Sequence, residues 1–429
     1  MYKAVPAVEV FVWGKRVGAV AHDPRIGYYA FEYDPEFRAS GIELAPLTMP
    51  LAQAQDPFVF PALPELTFHR LPALLADALP DAFGNALIDA WMSLHGVERS
   101  AITPLDRLAY MGKRALGALE FKPARGPNKP SSTAIELSSL VESARLAVTG
   151  DIGTDRHASD ALTRIIRVGT SAGGARAKAV IAWNPKTHEI RAGQFDVARG
   201  FEHWILKFDG LRANQELGDP VGYGRIEFAY HLMARRAGMV LPDARLLVES
   251  GRAHFMTKRF DRAGNTKHHV QTLCAIAHLD YNQKATHDAN QLFQTMNQLR
   301  LSYEEKEEAF RRVAFNVLAA NCDDHTKNTS FLLREGGRWE LAPAYDVTHA
   351  HNPKGDWTNQ HLMGVNGKFT AITRADLLEL ADRFAIGTAP KVLHAVADAV
   401  AAWPEFGTAA GMDATAIERI KTDLASVAL

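Results

Sequence analysis

Apolar and polar residues alternate along residues 7–21 (AVEVFVWGKRVGAVA) around a Gly-Lys-Arg turn, which predicts a β-hairpin, and YYAFEYDPEF adds a further strand. A Pro-rich passage (Pro46, Pro50, Pro57, Pro61, Pro64) leads into helical material, LPALLADALPDAFGNALIDAWMSLHG. The segment LDRLAYMGKRALGALEFKP then returns to a strand. Residues 124–134, ARGPNKPSSTA, concentrate Pro, Gly and Ser and form the best domain boundary in the chain. Beyond it the pattern predicts a helix near 135–147, then RVGTSAGGARAKAVIAW, a small-residue loop opening into the strand KAVIAW. HEIRAGQF and HWILKFDG read as further strands. In YGRIEFAYHLMARRAG the apolar positions 226, 229, 233 and 237 share one helical face, with Gly238 as the stop. ARLLVESGRAHFMTKRFDR is a second hairpin, turning at Ser250-Gly251, and the rest is mostly helical apart from one hairpin within residues 321–346.

A strand-rich piece with one helix followed by a helical piece predicts an α+β fold of two lobes behind an N-terminal α/β subdomain. The expected divisions are 1–125, 135–260 and 261–429.

Composition narrows the function classes. Hydrophobic residues make up 47% and charged residues 23% of 429, the balance of an ordinary globular protein too long for one small core. A net charge of -1 argues against a dominant basic surface that binds nucleic acid unaided, though a local basic patch remains open. Cys274 and Cys322 lie far apart and match no zinc spacing, which suits a reducing cytoplasm. The first residues lack the apolar run of a signal peptide, and no stretch reaches the roughly 18 apolar residues of a membrane span. The expectation is a soluble cytoplasmic protein with no membrane partner.

The candidate chemistry gathers in NCDDHTKNTSFLLREGGRWELAPAYD, residues 321–346. The helix before it starts at Ser302 with Glu305 three places on, a capping box, and should stop near Asn321. The polar cluster therefore sits on a loop held by a rigid helix. Asp323 and Asn328 have the Asp-to-Asn spacing of the protein-kinase catalytic loop, where Asp takes the substrate hydroxyl proton and Asn binds magnesium. Asp346 follows the hairpin, as a second metal-binding aspartate does in kinases. Upstream, TSAGGARAK (170–178) can lay backbone N–H groups over phosphates. Lys207, inside the apolar strand WILKF, needs a partner if buried, and Glu227 on the following helix is one.

Each part also has a plainer reading: a simple turn, a lysine on an edge strand facing water, or Asp323 and Asp324 as solvated cap residues. His325, His349 and His351 with the aspartates would suit a metal hydrolase, but HxH and DDH fragments without a matching ligand set are weak. The order of loop, lysine, glutamate, Asp-x4-Asn and Asp joins the parts into a kinase reading.

With these motifs the chain resembles the HipA family of bacterial serine/threonine kinases, toxins of toxin–antitoxin pairs, over nearly its whole length. GKRVGAVAHD, FEYDPEF, LPDAFGNALI and LAYMGKRALGALEF are similar to the family's N-terminal subdomain, TSAGGARAKA to its glycine-rich loop, and KRFDR to its strand between the lobes. NCDDHTKN and LAPAYD carry the most specific likeness. The resemblance implies that Gly173, Gly174, Ala175, Arg176, Ala177 and Lys178 cover the phosphates of ATP and that Lys207 contacts the α/β-phosphates. It implies that Lys258, Arg259 and Phe260 line the adenine side, and that Asp323 is the catalytic base with His325, Thr326, Lys327 and Asn328 near the nucleotide. Asn328 and Asp346 would hold Mg²⁺, and Tyr345 would line the pocket. Ser171 falls where family members autophosphorylate, with Thr170 as the alternative acceptor. The chain departs from the family pattern at Lys258, where an acidic residue is expected, and at Asp324, which replaces a small one. The implied partners are a HipB-like helix-turn-helix antitoxin, DNA only through it, and a protein substrate, with an aminoacyl-tRNA synthetase as the family's example. Two rivals stay open: a catalytically weak co-repressor acting with a DNA-binding antitoxin, and a small-molecule phosphotransferase.

Overall fold

Residues Ala7–Val12 (β1) bury Val8, Val10 and Val12 on one face, as alternation demands. In this computed structural model, which describes residues 2–80, 82–126, 134–149, 165, 176–212 and 222–425, β1 pairs antiparallel with Lys15–Asp23 (β2). The turn lies at Trp13 and Gly14, with φ of 49° and 77°. Lys15 and Arg16 already belong to β2, so the turn comes earlier than Gly-Lys-Arg. A two-residue hairpin loop that matches strand twist takes positive φ at both central positions, and Gly14 adopts it without cost. Tyr28–Tyr33 (β3) and Leu119–Lys122 (β4) complete a sheet ordered β3-β2-β1-β4.

Only the end of LDRLAYMGKRALGALEFKP is strand. Its beginning is the helix Pro104–Met111, because Thr103 and Asp106 form a capping box and Pro104 suits the first helical turn. The next helix runs Leu137–Thr149, and most of the expected boundary, residues 127–133, lies outside the described residues.

A second sheet, ordered β6-β5-β7-β9-β8, contains Arg176–Trp183 (β5), Ile190–Ala192 (β6), Glu202–Arg212 (β7), Ala244–Glu249 (β8) and Arg252–Lys258 (β9). The strand expected across HEIRAGQF contracts to β6. β7 sits in the middle of the sheet, so Lys207 is not on an edge. The β8–β9 hairpin turns at Ser250 and Gly251, with φ of 48° and 79°. Helix Tyr223–Arg236 packs on this sheet with Gly224 close against Ala253 of β9, Glu227 reaching Lys207 on β7 and the His231 ring beside Phe255. Ile226, Ala229 and Met233 are buried on another face of the helix, and Gly238 beyond it has φ 85°.

The C-terminal part is mainly helical, including Tyr303–Leu318, Ala389–Ala401 and Trp403–Ala409. The hairpin Ser330–Leu333 with Trp339–Leu341 gains a third strand, His269–Thr272, which is too short and mixed to stand out as a periodic segment. The N-terminal part is tied to this sheet by side chains: Trp339 Nε1 donates to the Glu43 carbonyl at 3.0 Å, and Asp77 accepts from Thr272 N and Oγ1 at 2.7 and 2.8 Å. Buried apolar residues form one connected cluster running from Val5 to Leu424. Among the described residues no helix is long and apolar enough to cross a membrane.

Candidate active site

Helix Tyr303–Leu318 is fixed at its start by Ser302 and Glu305, whose side chains cap each other's backbone N–H groups. Glu305 also accepts from Leu341 N and Arg338 at 2.9 Å each, so the hairpin is anchored to the same cap. The helix ends where Ala320 turns left-handed (φ 48°) and Asn321 N bonds back to the Asn316 carbonyl at 2.9 Å. The loop that follows is held by its own polar groups. Asn328 Nδ2 donates to the Asp323 carbonyl at 2.6 Å, and Thr326 Oγ1 donates to the Leu279 carbonyl at 2.7 Å. Asp323 Oδ1 accepts from Trp357 Nε1 at 2.8 Å, with His325 Nε2 at 3.8 Å. Burial pushes the Asp323 carboxyl above its usual range, while His325 and Trp357 oppose the rise.

Asp324 is not a solvated cap residue. It is buried and accepts from His361 Nδ1 at 3.0 Å, Leu362 N at 2.7 Å and Met363 N at 3.2 Å.

Across the site, Lys207 reaches from the middle strand to Glu227 and to Asp346, bonding both carboxylates. Asp346 adopts φ 53°, a conformation an Asp side chain tolerates better than most, and this turn aims it back toward β7. Burial alone would weaken the Lys207 ammonium, but Asp346 and Glu227 outweigh it and hold its pKa above the ordinary lysine value. Burial likewise works against the Asp346 carboxylate, yet Lys207 and Lys178 keep it far below the usual range. Lys178 is buried opposite Lys207 in register on β5. The loop and the turn also sense each other's charge: Asp346 adds to the rise at Asp323, and His325 adds to the depression at Asp346.

The remaining expected residues divide. Tyr345 donates to the Lys327 carbonyl at 2.6 Å, bonds Ser330, and lies against Phe260 with ring centres 5.8 Å apart. Lys327 sits 4.6 Å over the Tyr281 ring, which also neighbours His325. Lys258 pairs with Glu202 at 2.6 Å on the neighbouring strand. Arg259 is engaged with buried Asp261 at 2.9 and 2.5 Å, and Asp261 in turn accepts from Gly117 N at 2.8 Å. The Arg259 side chain thus braces the N-terminal part through Asp261, while Phe260 lies beside Tyr345. Ala177 is buried within β5. Thr170, Ser171, Gly173, Gly174 and Ala175 lie outside the described residues, as does the side chain of Arg176.

Among the described residues, no group of three or more His, Cys, Asp or Glu side chains is placed to hold a metal ion. His349 is instead paired with Asp423 at 3.0 Å. A hard cation is suited by a different donor set. Asn328 has its amide nitrogen on the Asp323 carbonyl, so its amide oxygen is the atom left to bind, and Asp346 supplies an ionised carboxylate. Sequence reasoning missed Trp357 and His361, which lie in a segment without periodicity or motif.

A family model described as HipA-like C-terminal domain matches residues 170–405, and one described as HipA N-terminal domain matches residues 8–122. Among solved structures, the chain is similar to one from the complex of the Shewanella oneidensis MR-1 toxin–antitoxin system HipA, HipB and its operator DNA. The TM-score is 0.66 at 18% identity, covering 98% of this chain and 96% of that one, which establishes the same fold. The Helicobacter pylori proinflammatory kinase CtkA also matches, with a TM-score of 0.33 at 13% identity over 60% of this chain and 94% of that one.

Proposed function

The chain belongs to the HipA family, and from that premise we propose that it is an ATP- and Mg²⁺-dependent serine/threonine protein kinase of the toxin type. The observation that carries the reading is the meeting of Lys207, Glu227 and Asp346 from a strand, a helix and a turn, next to the loop bearing Asp323 and Asn328. A fixed lysine–glutamate pair, a base and two hard oxygen ligands are the parts that phosphoryl transfer requires.

In this reading Asp323 takes the proton of the attacking hydroxyl. Lys207, freed from Asp346, turns to the α/β-phosphates while Glu227 holds its direction. Asp346 and Asn328 present oxygen atoms to Mg²⁺, which when bound neutralises charge developing on the phosphates. Lys178 and the preceding residues Gly173 to Ala177 cover the phosphates, and Phe260 and Tyr345 line the adenine side with the backbone of Lys258 and Arg259. The three proposed divisions are 1–125, 135–260 and 261–429.

Autophosphorylation at Ser171 belongs to the same proposal, as a phosphate there adds roughly 1.5 to 2 negative charges beside the triphosphate and repels it. The partners proposed are a helix-turn-helix antitoxin, by analogy with HipB in the Shewanella oneidensis complex, and a protein substrate such as an aminoacyl-tRNA synthetase. With a net charge of -1, DNA is reached only through the antitoxin.

Intact-mass measurement after incubation with ATP and Mg²⁺, alone and with candidate synthetases, tests the reading against an Asp323→Asn control. Phosphate on the wild type and none on the control supports it. Absence of transfer to any protein, with turnover of small hydroxylated compounds instead, would replace it with a small-molecule phosphotransferase. Tight operator binding by the isolated chain in an anisotropy assay at physiological salt would overturn the DNA part.

A further inference from the structure

Residues 352–363 contain no motif, yet they grip the catalytic loop at two consecutive positions. The chain doubles back on itself there, with Asn352 N donating to the Thr358 carbonyl at 3.1 Å and Gly355 N to the Asn352 carbonyl at 3.0 Å. That tight loop presents half-buried Trp357 to Asp323, 34 residues earlier, and seats Thr358 in the interior. Farther along, His361, Leu362 N and Met363 N all converge on Asp324. His361 is anchored on its other side as well, through its own N–H to the Phe369 carbonyl at 2.9 Å and through Nε2, 3.9 Å from Cys322 Sγ.

The chemistry of the donor matters. An indole N–H donates and cannot accept, so Trp357 can neither take the proton meant for Asp323 nor exchange roles with it. Its bond goes to Oδ1. Among the described residues Oδ2 of Asp323 has no hydrogen-bond partner, and the carboxylate is half-buried, with its side chain 35% exposed. A half-buried carboxylate held through one oxygen keeps a single orientation and offers the other. The clamp at Asp324 is stronger, because a carboxylate accepting from an imidazole and two backbone N–H groups is fixed from three sides.

We propose that Trp357 is a positioning residue for phosphoryl transfer: its indole N–H holds Asp323 through Oδ1 so that Oδ2 faces the substrate hydroxyl, and the Asp324–His361 clamp keeps the segment carrying Trp357 in place. This rests on the kinase reading. In the step itself the hydroxyl oxygen forms a bond to the γ-phosphorus, its proton passes to Asp323 Oδ2, and the bridging P–O bond breaks with its electron pair leaving on ADP. Trp357 touches none of the reacting atoms and acts only through Asp323.

The test is a double-mutant cycle on the full-length chain, using γ-labelled ATP with Mg²⁺ and the chain itself as acceptor, followed as initial rates. Trp357→Phe keeps the ring and removes the donor. It is expected to lower kcat about 10- to 100-fold, the range for a hydrogen bond to a charged group, with KM for ATP changed less than about 2-fold. In an Asp323→Asn background the same substitution is expected to change the residual rate less than about 2-fold, because the group through which it acts is gone. Asp324→Asn keeps an acceptor for the two backbone N–H groups but weakens the hold on His361. Its smaller loss of kcat should likewise vanish in the Asp323→Asn background, and it serves if Trp357→Phe does not fold. An unchanged or raised kcat in Trp357→Phe, or an equal loss in both backgrounds, would overturn the proposal, the latter by revealing a merely structural role. No transfer by the wild type would overturn the kinase reading instead, and this inference with it.

Discussion

The two walls of the site handle charge in opposite ways. On the β7 side, Lys207 is shared by Glu227 and Asp346, and the Glu227 side chain is only 3% exposed. Every ionised group there answers another. On the loop side, Asp323 has no lysine or arginine partner within ion-pair range among the described residues; it is held by a neutral indole and lies near His325. Ion pairing lowers a carboxyl pKa, whereas burial raises it and a single neutral donor opposes that rise only in part. The consequence is a division of labour: one wall is ion-paired, with the Asp346 carboxyl held ionised, and the other keeps a carboxylate basic enough to accept a proton.

Breaking the reactive wall should have the largest effect. Asp323→Asn is expected to lower phosphoryl transfer about 100- to 10,000-fold, the usual range for loss of a general base, while the melting temperature stays near wild type. Equal activity would place the base elsewhere. Breaking the ion-paired wall should act on both binding and stability. Lys207→Ala leaves Glu227 and Asp346 facing each other without their common cation, and a broken buried pair is expected to lose about 3–5 kcal/mol. Denaturant unfolding measures that loss, and titration with ATP should show binding greatly weakened; wild-type values for both would mean that the lysine faces solvent.

A third measurement separates the clamp from both walls. Burial lowers the His361 pKa, but Asp324 reverses this and pushes it up to about 10 from 6.5. A raised folded-state pKa means that the stabilisation is full below about pH 6.5 and is lost as pH rises through about 10. Unfolding free energy should therefore fall by a few kcal/mol across that interval, because the folded chain holds a proton there that the unfolded chain gives up. Asp324→Asn should flatten the profile; a wild-type curve already flat there would remove the ion pair from the account.

The smallest effect should come from the base of the helix that delivers the loop. Ser302→Ala removes one cap bond and is expected to reduce stability by about 1 kcal/mol in calorimetry, with kcat unchanged. A comparable loss of activity would show that cap geometry reaches Asp323.

Much of this was legible in the residues themselves. The hairpin at Ser250-Gly251, the buried face of helix Tyr223–Arg236 and the cap at Ser302 follow from neighbours three or four places apart, and local chemistry is enough to specify them. The Asp323 and Asn328 spacing is local in the same sense: five residues form one loop, and the amide of Asn328 bonds the carbonyl of Asp323 within it. Where local signals competed, the capped helix Pro104–Met111 won over an expected strand because both the cap and a first-turn proline favour it.

Other features were decided only when the chain closed on itself. Lys207 was a lysine in search of a partner; that it has two, one of them Asp346 at 139 residues' remove, depends on the turn at Asp346 being folded against the middle of the sheet. Arg259 reads as a pocket residue until Asp261, which also accepts from Gly117 N of the N-terminal part, takes its guanidinium. Asp323 and Asp324 look alike in sequence, yet one is held by Trp357 and the other by His361 and two backbone N–H groups. Hydrophobic period and capping act over a few residues, so sequence alone determines which helices and strands form and which polar groups share a loop. The state of a charged side chain depends on which distant groups are buried beside it, because burial makes an unpartnered charge costly, and that pairing exists only in the folded molecule.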